Sequence, residues 1–109
     1  LSKAARDIIR NPDNEIFLSV VNAWEITVKH STNKLPLPQK PDLFVRTQRE
    51  GPFLASLPLL ETHVLTLIKL PGIHHDPFDR MLVCQAVAEG LTILTPDEAI
   101  SQYPVRTTW

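Results

Sequence analysis

The stretch from Asp76 to Thr95, DPFDRMLVCQAVAEGLTILT, restricts the fold more than any other part of the chain. Asp76 is a good N-cap, because its carboxylate can accept the backbone N–H groups that a first helical turn leaves unpaired. Pro77 suits the first helical position, where its fixed φ is already helical and its missing N–H costs nothing. An apolar helix then runs to Glu89, Gly90 supplies the stop, and LTILT follows as a strand. The helix is apolar around most of its circumference, which predicts burial on two sides.

The same alternation continues upstream. LSKAARDIIR reads as a helix capped by Ser2, NPDN as a turn, and EIFLSV as a short buried strand. Ser19 can cap a second helix, VVNAWEITVKHSTNK, in which Val20, Trp24 and Val28 fall at helical spacing and Glu25 can pair with Lys29 four residues on. LPLPQKP breaks the chain. A third helix runs through DLFVRTQRE to a stop at Gly51 and Pro52, LASLPLL is a second strand, and ETHVLTLIKL a further helix. Helices alternating with short apolar strands predict an α/β fold, a mostly parallel sheet covered by helices on both faces. The chain has ten prolines, and Pro38 to Pro41 even fits a PxxP spacing, but prolines between two helices are better read as stiffening a connection.

Length and charge narrow the function. With 109 residues, 43% of them hydrophobic and only three glycines, the chain has room for one domain over residues 1–109 and one core. No apolar run approaches the roughly 18 residues needed to cross a bilayer, which predicts a protein without a membrane span. With a formal net charge of −1, a broad basic face that would hold nucleic acid by charge alone is not expected. The single cysteine, Cys84, cannot form an internal disulfide; it fits a reducing, cytoplasmic setting and reads as core packing. There is no G-x-S-x-G, P-loop or C-x-x-C to support nucleophilic catalysis or nucleotide cradling. His74 and His75 are adjacent and lack a third ligand at metal spacing, while His30 and His63 lack partners at such spacing.

In open sheets of this kind ligands gather at the carboxyl ends of the strands, and three acids are expected there. Glu25 falls within two turns of the strand EIFLS, and Asp97 ends LTILT through Thr95 and Pro96. The helix that begins at Pro77 rises roughly 20 Å at about 1.5 Å per residue. The strand after it returns a similar distance at about 3.3 Å per residue, which brings Asp79 to the level of Asp97. Gathered carboxylates repel one another and call for a cation, and an all-oxygen donor set favours Mg2+ or Mn2+. Such an ion would hold a phosphodiester where no basic face does, and would activate water for hydrolysis. Each acid also has a local role open to it: Asp79 as a capping-box acid, Asp97 as a cap or turn residue before EAIS, and Glu25 as the partner of Lys29.

Taken in order, VVNAWEITVKHSTNKLPLP, HHDPFDRMLVCQAVAEGLTILTPDEAI and the closing YPVRTTW resemble the PIN-domain proteins of the VapC toxin type, and the similarity covers nearly the whole chain. The resemblance implies a three-layer α/β/α domain with a parallel sheet, acting as a Mg2+- or Mn2+-dependent endoribonuclease. It implies metal roles for Glu25 of WEI, Asp79 before RMLVCQA and Asp97 of LTPD, with Arg80 reaching a phosphate or pairing with Asp76. It also implies an RNA substrate, a homodimer, and a small antitoxin whose peptide lies in the acidic groove. Family members begin with a strand ending in an aspartate, in a segment like LLDTHALLW, and this chain starts after that point. The expectation is an N-terminally incomplete domain lacking the first strand and first acid, with an exposed sheet edge that invites pairing. The alternative is a catalytically inactive PIN-like module that only binds an antitoxin or a second copy of itself.

Overall fold

The computed structural model describes residues 1–51, 54–73 and 76–109. In chain order its elements are α1 (Lys3–Arg10), β1 (Phe17–Ser19), α2 (Val20–Ser31), α3 (Pro41–Glu50), β2 (Ala55–Leu57), α4 (Glu61–Leu65), α5 (Pro77–Glu89), β3 (Ile93–Leu94), α6 (Glu98–Ser101) and β4 (Thr107–Thr108), with a 3-10 turn at Thr66–Lys69 continuing α4. The chain divides into two compact units, one of Leu1–Ile8 with Leu59–Trp109 and the other of Ile9–Pro58. Among the described residues no helix is long and apolar enough to cross a membrane.

In the unit Ile9–Pro58, β1 and β2 pair in parallel, with Phe17 opposite Ala55 and Ser19 opposite Leu57. Arg49, near the end of α3, ties the strands together by donating from Nη1 to the carbonyls of Leu18 (2.9 Å) and Ala55 (3.1 Å). Ser19 both closes β1 and opens α2. Its Oγ accepts from the Val21 N–H at 3.0 Å, while its own N–H donates to Asn22 Oδ1 at 2.9 Å, a reciprocal capping box with asparagine at the third helical position. The helical spacing of Val20, Trp24 and Val28 is confirmed, but these residues are 40%, 49% and 37% exposed, and the buried residue of α2 is Val21. The stripe therefore marks the outward side of α2. α2 and α3 pack on each other.

The other unit is organised by α5. Asp76 takes an extended conformation and its Oδ1 accepts from the N–H groups of Phe78 (2.9 Å) and Asp79 (3.1 Å), as the cap reading requires. Met81, Val83, Cys84, Gln85 and Ala86 are all buried; these positions cover most of the helix circumference, so burial on more than one side is confirmed. Val83 joins Ile100 and Tyr103 in a core against which Leu70, Ile73, Ile93 and Val105 pack. Gly90 ends the helix at φ 67°, a conformation a side chain would strain. β3 follows and pairs in parallel with β4, Ile93 opposite Thr107. β4 is two residues long, too short to leave a periodic signal in the sequence.

ETHVLTLIKL forms a single helix only as far as Leu65 before tightening to a 3-10 turn. At the junction Thr66 donates its hydroxyl to the carbonyl of Thr62 at 2.7 Å. His63, fully buried, accepts the Leu60 N–H at Nδ1 (3.0 Å) and contacts Glu89 Oε1 through Nε2 (2.7 Å). With Nδ1 acting as acceptor, the proton of the neutral ring sits on Nε2 and is donated to Glu89. One imidazole thus closes the start of α4 and clips it to the end of α5.

Candidate metal centre

α5 brings two carboxylates together at its start. Asp76 is the cap and Asp79 the third helical residue, and an oxygen of each lies within 4.8 Å of the other. Two unit charges at that separation repel by on the order of 3 kcal/mol at the effective dielectric of a protein surface. The positive end of the helix dipole and the two N–H groups on Asp76 Oδ1 offset part of this. A divalent cation would offset more. Oxygens in one octahedral shell around Mg2+ lie about 3 to 4 Å apart, so the pair fits direct ligation after a small adjustment, or ligation with one oxygen acting through water.

Asp97 sits where the sequence expects it, just beyond β3, and there its Oδ1 caps α6 by accepting from the Ala99 N–H at 2.9 Å. It is exposed and, among the described residues of its unit, no third acid joins Asp76 and Asp79 at their range. Glu25 belongs to the other unit, on the second turn of α2, where its Oε2 accepts from Lys29 Nζ at 2.6 Å. Both local roles open to these acids in the sequence are therefore filled.

Arg80, the next residue after Asp79, donates two side-chain hydrogen bonds among the described residues, both from Nη1, to the Pro71 carbonyl (3.1 Å) and to the Tyr103 hydroxyl (3.2 Å). Its partners are thus a backbone carbonyl and a core tyrosine, and not the Asp76 carboxylate that the sequence also offered. The Arg80 charge also reaches Cys84 one turn on: burial pushes the Cys84 thiol above its ordinary value, and the guanidinium pulls it part of the way back. Cys84 is buried and free, which makes it a packing residue as expected. His74 and His75 lie outside the described residues.

The PIN domain family profile matches residues 1–105. The chain belongs to the PIN domain family. The PIN domain is a three-layer α/β/α fold, and the mixture of helices with parallel strand pairs found here agrees with it. PIN domains are generally nucleases that need a metal. No curated protein matches the chain. The sequence of this PIN chain offers Asp76 as a cap and as a partner for Arg80; an acid at the cap and another three residues later also share a face and can both reach one ion. That spacing was the available signal for a second oxygen donor. Tyr103 was missed because a lone tyrosine in a closing segment carries no pattern; only its hydrogen bond from Arg80 marks it.

Proposed function

We propose that this chain is a metal-dependent endoribonuclease of the VapC toxin kind within the PIN family. The observation that supports it most is the Asp76–Asp79 carboxylate pair at the start of a buried helix, in a family of metal-requiring nucleases. In this reading Asp79 is the principal ligand of Mg2+ or Mn2+, with Glu25 and Asp97 binding through water or orienting the attacking water. The ion, when bound, lowers the pKa of water and stabilises charge on the phosphoryl oxygens. Asp76 holds the helix start rigid, so that Asp79 is presented in one geometry. Residues 1–109 act as one PIN-like domain in the cytoplasm, cut RNA, pair with a second copy and are silenced by a small antitoxin protein.

A second reading has its own support. Glu25 is paired with Lys29, and both Asp76 and Asp97 serve as helix caps, so each has a structural occupation that needs no metal. This favours a PIN-like module that binds an antitoxin or itself and does not cut. Incubating single-stranded RNA with the protein in manganese separates the two readings. Cleavage that is abolished by chelator and by Asp79→Asn, with folding intact by circular dichroism, is the expected result. A folded wild type that neither cuts RNA nor takes up manganese would sink the nuclease reading and leave the binding module.

A further inference from the structure

The nuclease reading leaves one physical difficulty. Its site is acidic, the chain has a formal net charge of −1, and a polynucleotide brings only more negative charge. The ion of that reading would meet the phosphate being cut; a fixed side-chain cation near Asp79 would hold the strand apart from the metal, and the way Arg80 is held suits it to that task.

The Arg80 N–H donates to the Asp76 carbonyl at 3.0 Å, so Arg80 stands one helical turn beyond the cap and on its side of α5. The two hydrogen bonds of the guanidinium both start from Nη1, and their acceptors are rigid. One is the backbone carbonyl of Pro71. The other is the hydroxyl of Tyr103, a residue only 3% exposed and packed in the core with Val83 and Ile100. The Tyr103 ring adds a weak cation–π contact, with Arg80 Cζ 5.9 Å from the ring centroid. The opposite edge, Nε with Nη2, makes no hydrogen bond among the described residues. That edge is the planar two-donor fork that matches the two oxygens of a phosphate. An arginine pinned by one nitrogen loses less freedom on binding than one that swings in solvent.

We infer that Tyr103 is a positioning residue: with the Pro71 carbonyl it holds Arg80 by Nη1 and leaves the Nε–Nη2 edge to grip one phosphate of a single-stranded RNA beside Asp79. The inference rests on the nuclease reading. It goes further in giving the substrate contact a structural cause in the core, and in making substrate grip separable from metal binding.

The test uses the whole chain and a single-stranded RNA oligonucleotide, in chelator to remove metal-assisted cutting. Affinity is measured across a salt series. Losing one phosphate contact from a single strand should lower the slope of log affinity against log salt by about 0.7. Arg80→Ala should show that drop, with roughly tenfold weaker binding that is uniform across RNA sequences. Arg80→Lys should keep the slope, because the charge remains, yet bind several-fold more weakly, because the fork is gone. Tyr103→Phe keeps the ring and removes only the hydroxyl; in manganese it should raise KM several-fold and leave kcat unchanged. A merely structural tyrosine would move the melting temperature and not this split. If wild type binds and cuts RNA while Arg80→Ala keeps its affinity and salt slope, the inference is overturned and the nuclease stands. If wild type neither binds nor cuts RNA, the nuclease reading itself has failed and the inference goes with it.

Discussion

The two helices that carry candidate metal ligands are built in opposite ways. α5 buries Met81, Val83, Cys84, Gln85 and Ala86, is capped by a carboxylate at one end and stopped by a left-handed glycine at the other. α2 has an equally well-formed cap in the Ser19–Asn22 box but buries only Val21, and turns Val20, Trp24 and Val28 outward. Asp79 is therefore held by packing on a helix with little freedom, whereas Glu25 is held by one ion pair on a helix surface. A ligand whose helix cannot shift fixes the geometry of a site; a ligand on a lightly buried helix can adapt to what arrives. Both helices carry a cap that is legible in the sequence. Packing is what separates them.

The largest expected effect tests that contrast directly. Val83→Ala removes two methyl groups from a fully buried position and should cost about 2 kcal/mol or more, combining lost transfer energy with a cavity. Val28→Ala, at a position 37% exposed on α2, should cost about 1 kcal/mol or less, because its side chain is only partly covered and alanine's better helix propensity offsets some of the loss. Urea unfolding of both variants measures the difference, and equal losses would mean that α2 is as tightly held as α5.

Next in size is the clip between α4 and α5. His63→Ala leaves the Leu60 N–H without its acceptor and Glu89 without its donor, which should cost about 1–3 kcal/mol. Glu89→Gln keeps an oxygen to accept from Nε2 and should cost under about 1 kcal/mol. Thermal melts of the two variants should rank in that order; the reverse order would show that the clip owes its strength to the Glu89 charge and not to the hydrogen bonds of the His63 ring. Gly90→Ala is cleaner still. A Cβ there meets nothing within 4 Å, so the whole expected loss of about 1–2 kcal/mol comes from the backbone at φ 67°. A neutral result would show that the end of α5 relaxes out of the left-handed region without penalty.

Cys84 gives α5 a signature at high pH. Its thiol is pushed up by burial, so the unfolded chain loses the proton first and the folded state gains none of that charge. The stability that the neutral thiol contributes is complete below the ordinary value of 9.0 and is lost as pH rises through the folded value. Denaturation midpoints should fall faster above that point in wild type than in Cys84→Ala. Parallel alkaline slopes would place the thiol in contact with water in the folded state.

How much of this was legible in the sequence follows the same divide. Caps, stops and ion pairs at fixed spacing were readable, because they depend on residues within one turn: Ser2, Ser19, Asp76, Gly90 and Glu25 with Lys29 all act where the sequence puts them. The parallel pairing of the strands was also readable, from their alternation with helices. Facing was not. The apolar stripe of α2 is exposed, and the polar Gln85 is buried, because both depend on what packs alongside. The break of ETHVLTLIKL at Leu65 and the two-residue β4 escaped because each spans too few residues for a period to show. At the candidate site the acids were legible as acids, and Asp79 and Asp97 do fall at element starts. What could not be read was that Asp76 approaches Asp79, and that Arg80 turns to Tyr103, twenty-three positions away in the chain.

The smallest expected effect bears most directly on the contrast between the two ligands. The Glu25–Lys29 pair joins a largely exposed ammonium to a mostly covered carboxylate four residues earlier. As a pair on a helix surface it should contribute only about 0.3–0.5 kcal/mol, and less in high salt. Lys29→Ala and Glu25→Gln should therefore each shift urea midpoints slightly, and by less at 1 M salt than at low salt. The value of so small a number is that it isolates function. If Glu25→Gln leaves stability nearly unchanged while cleavage in manganese collapses, Glu25 has a role beyond its ion pair, and the loosely held ligand matters as much as the rigid one. Lys29→Ala then becomes informative, because removing the competing ammonium should lower the manganese concentration needed for half-maximal cleavage. If both variants cut RNA like wild type, Glu25 is a surface residue in this chain and the site rests on α5 alone.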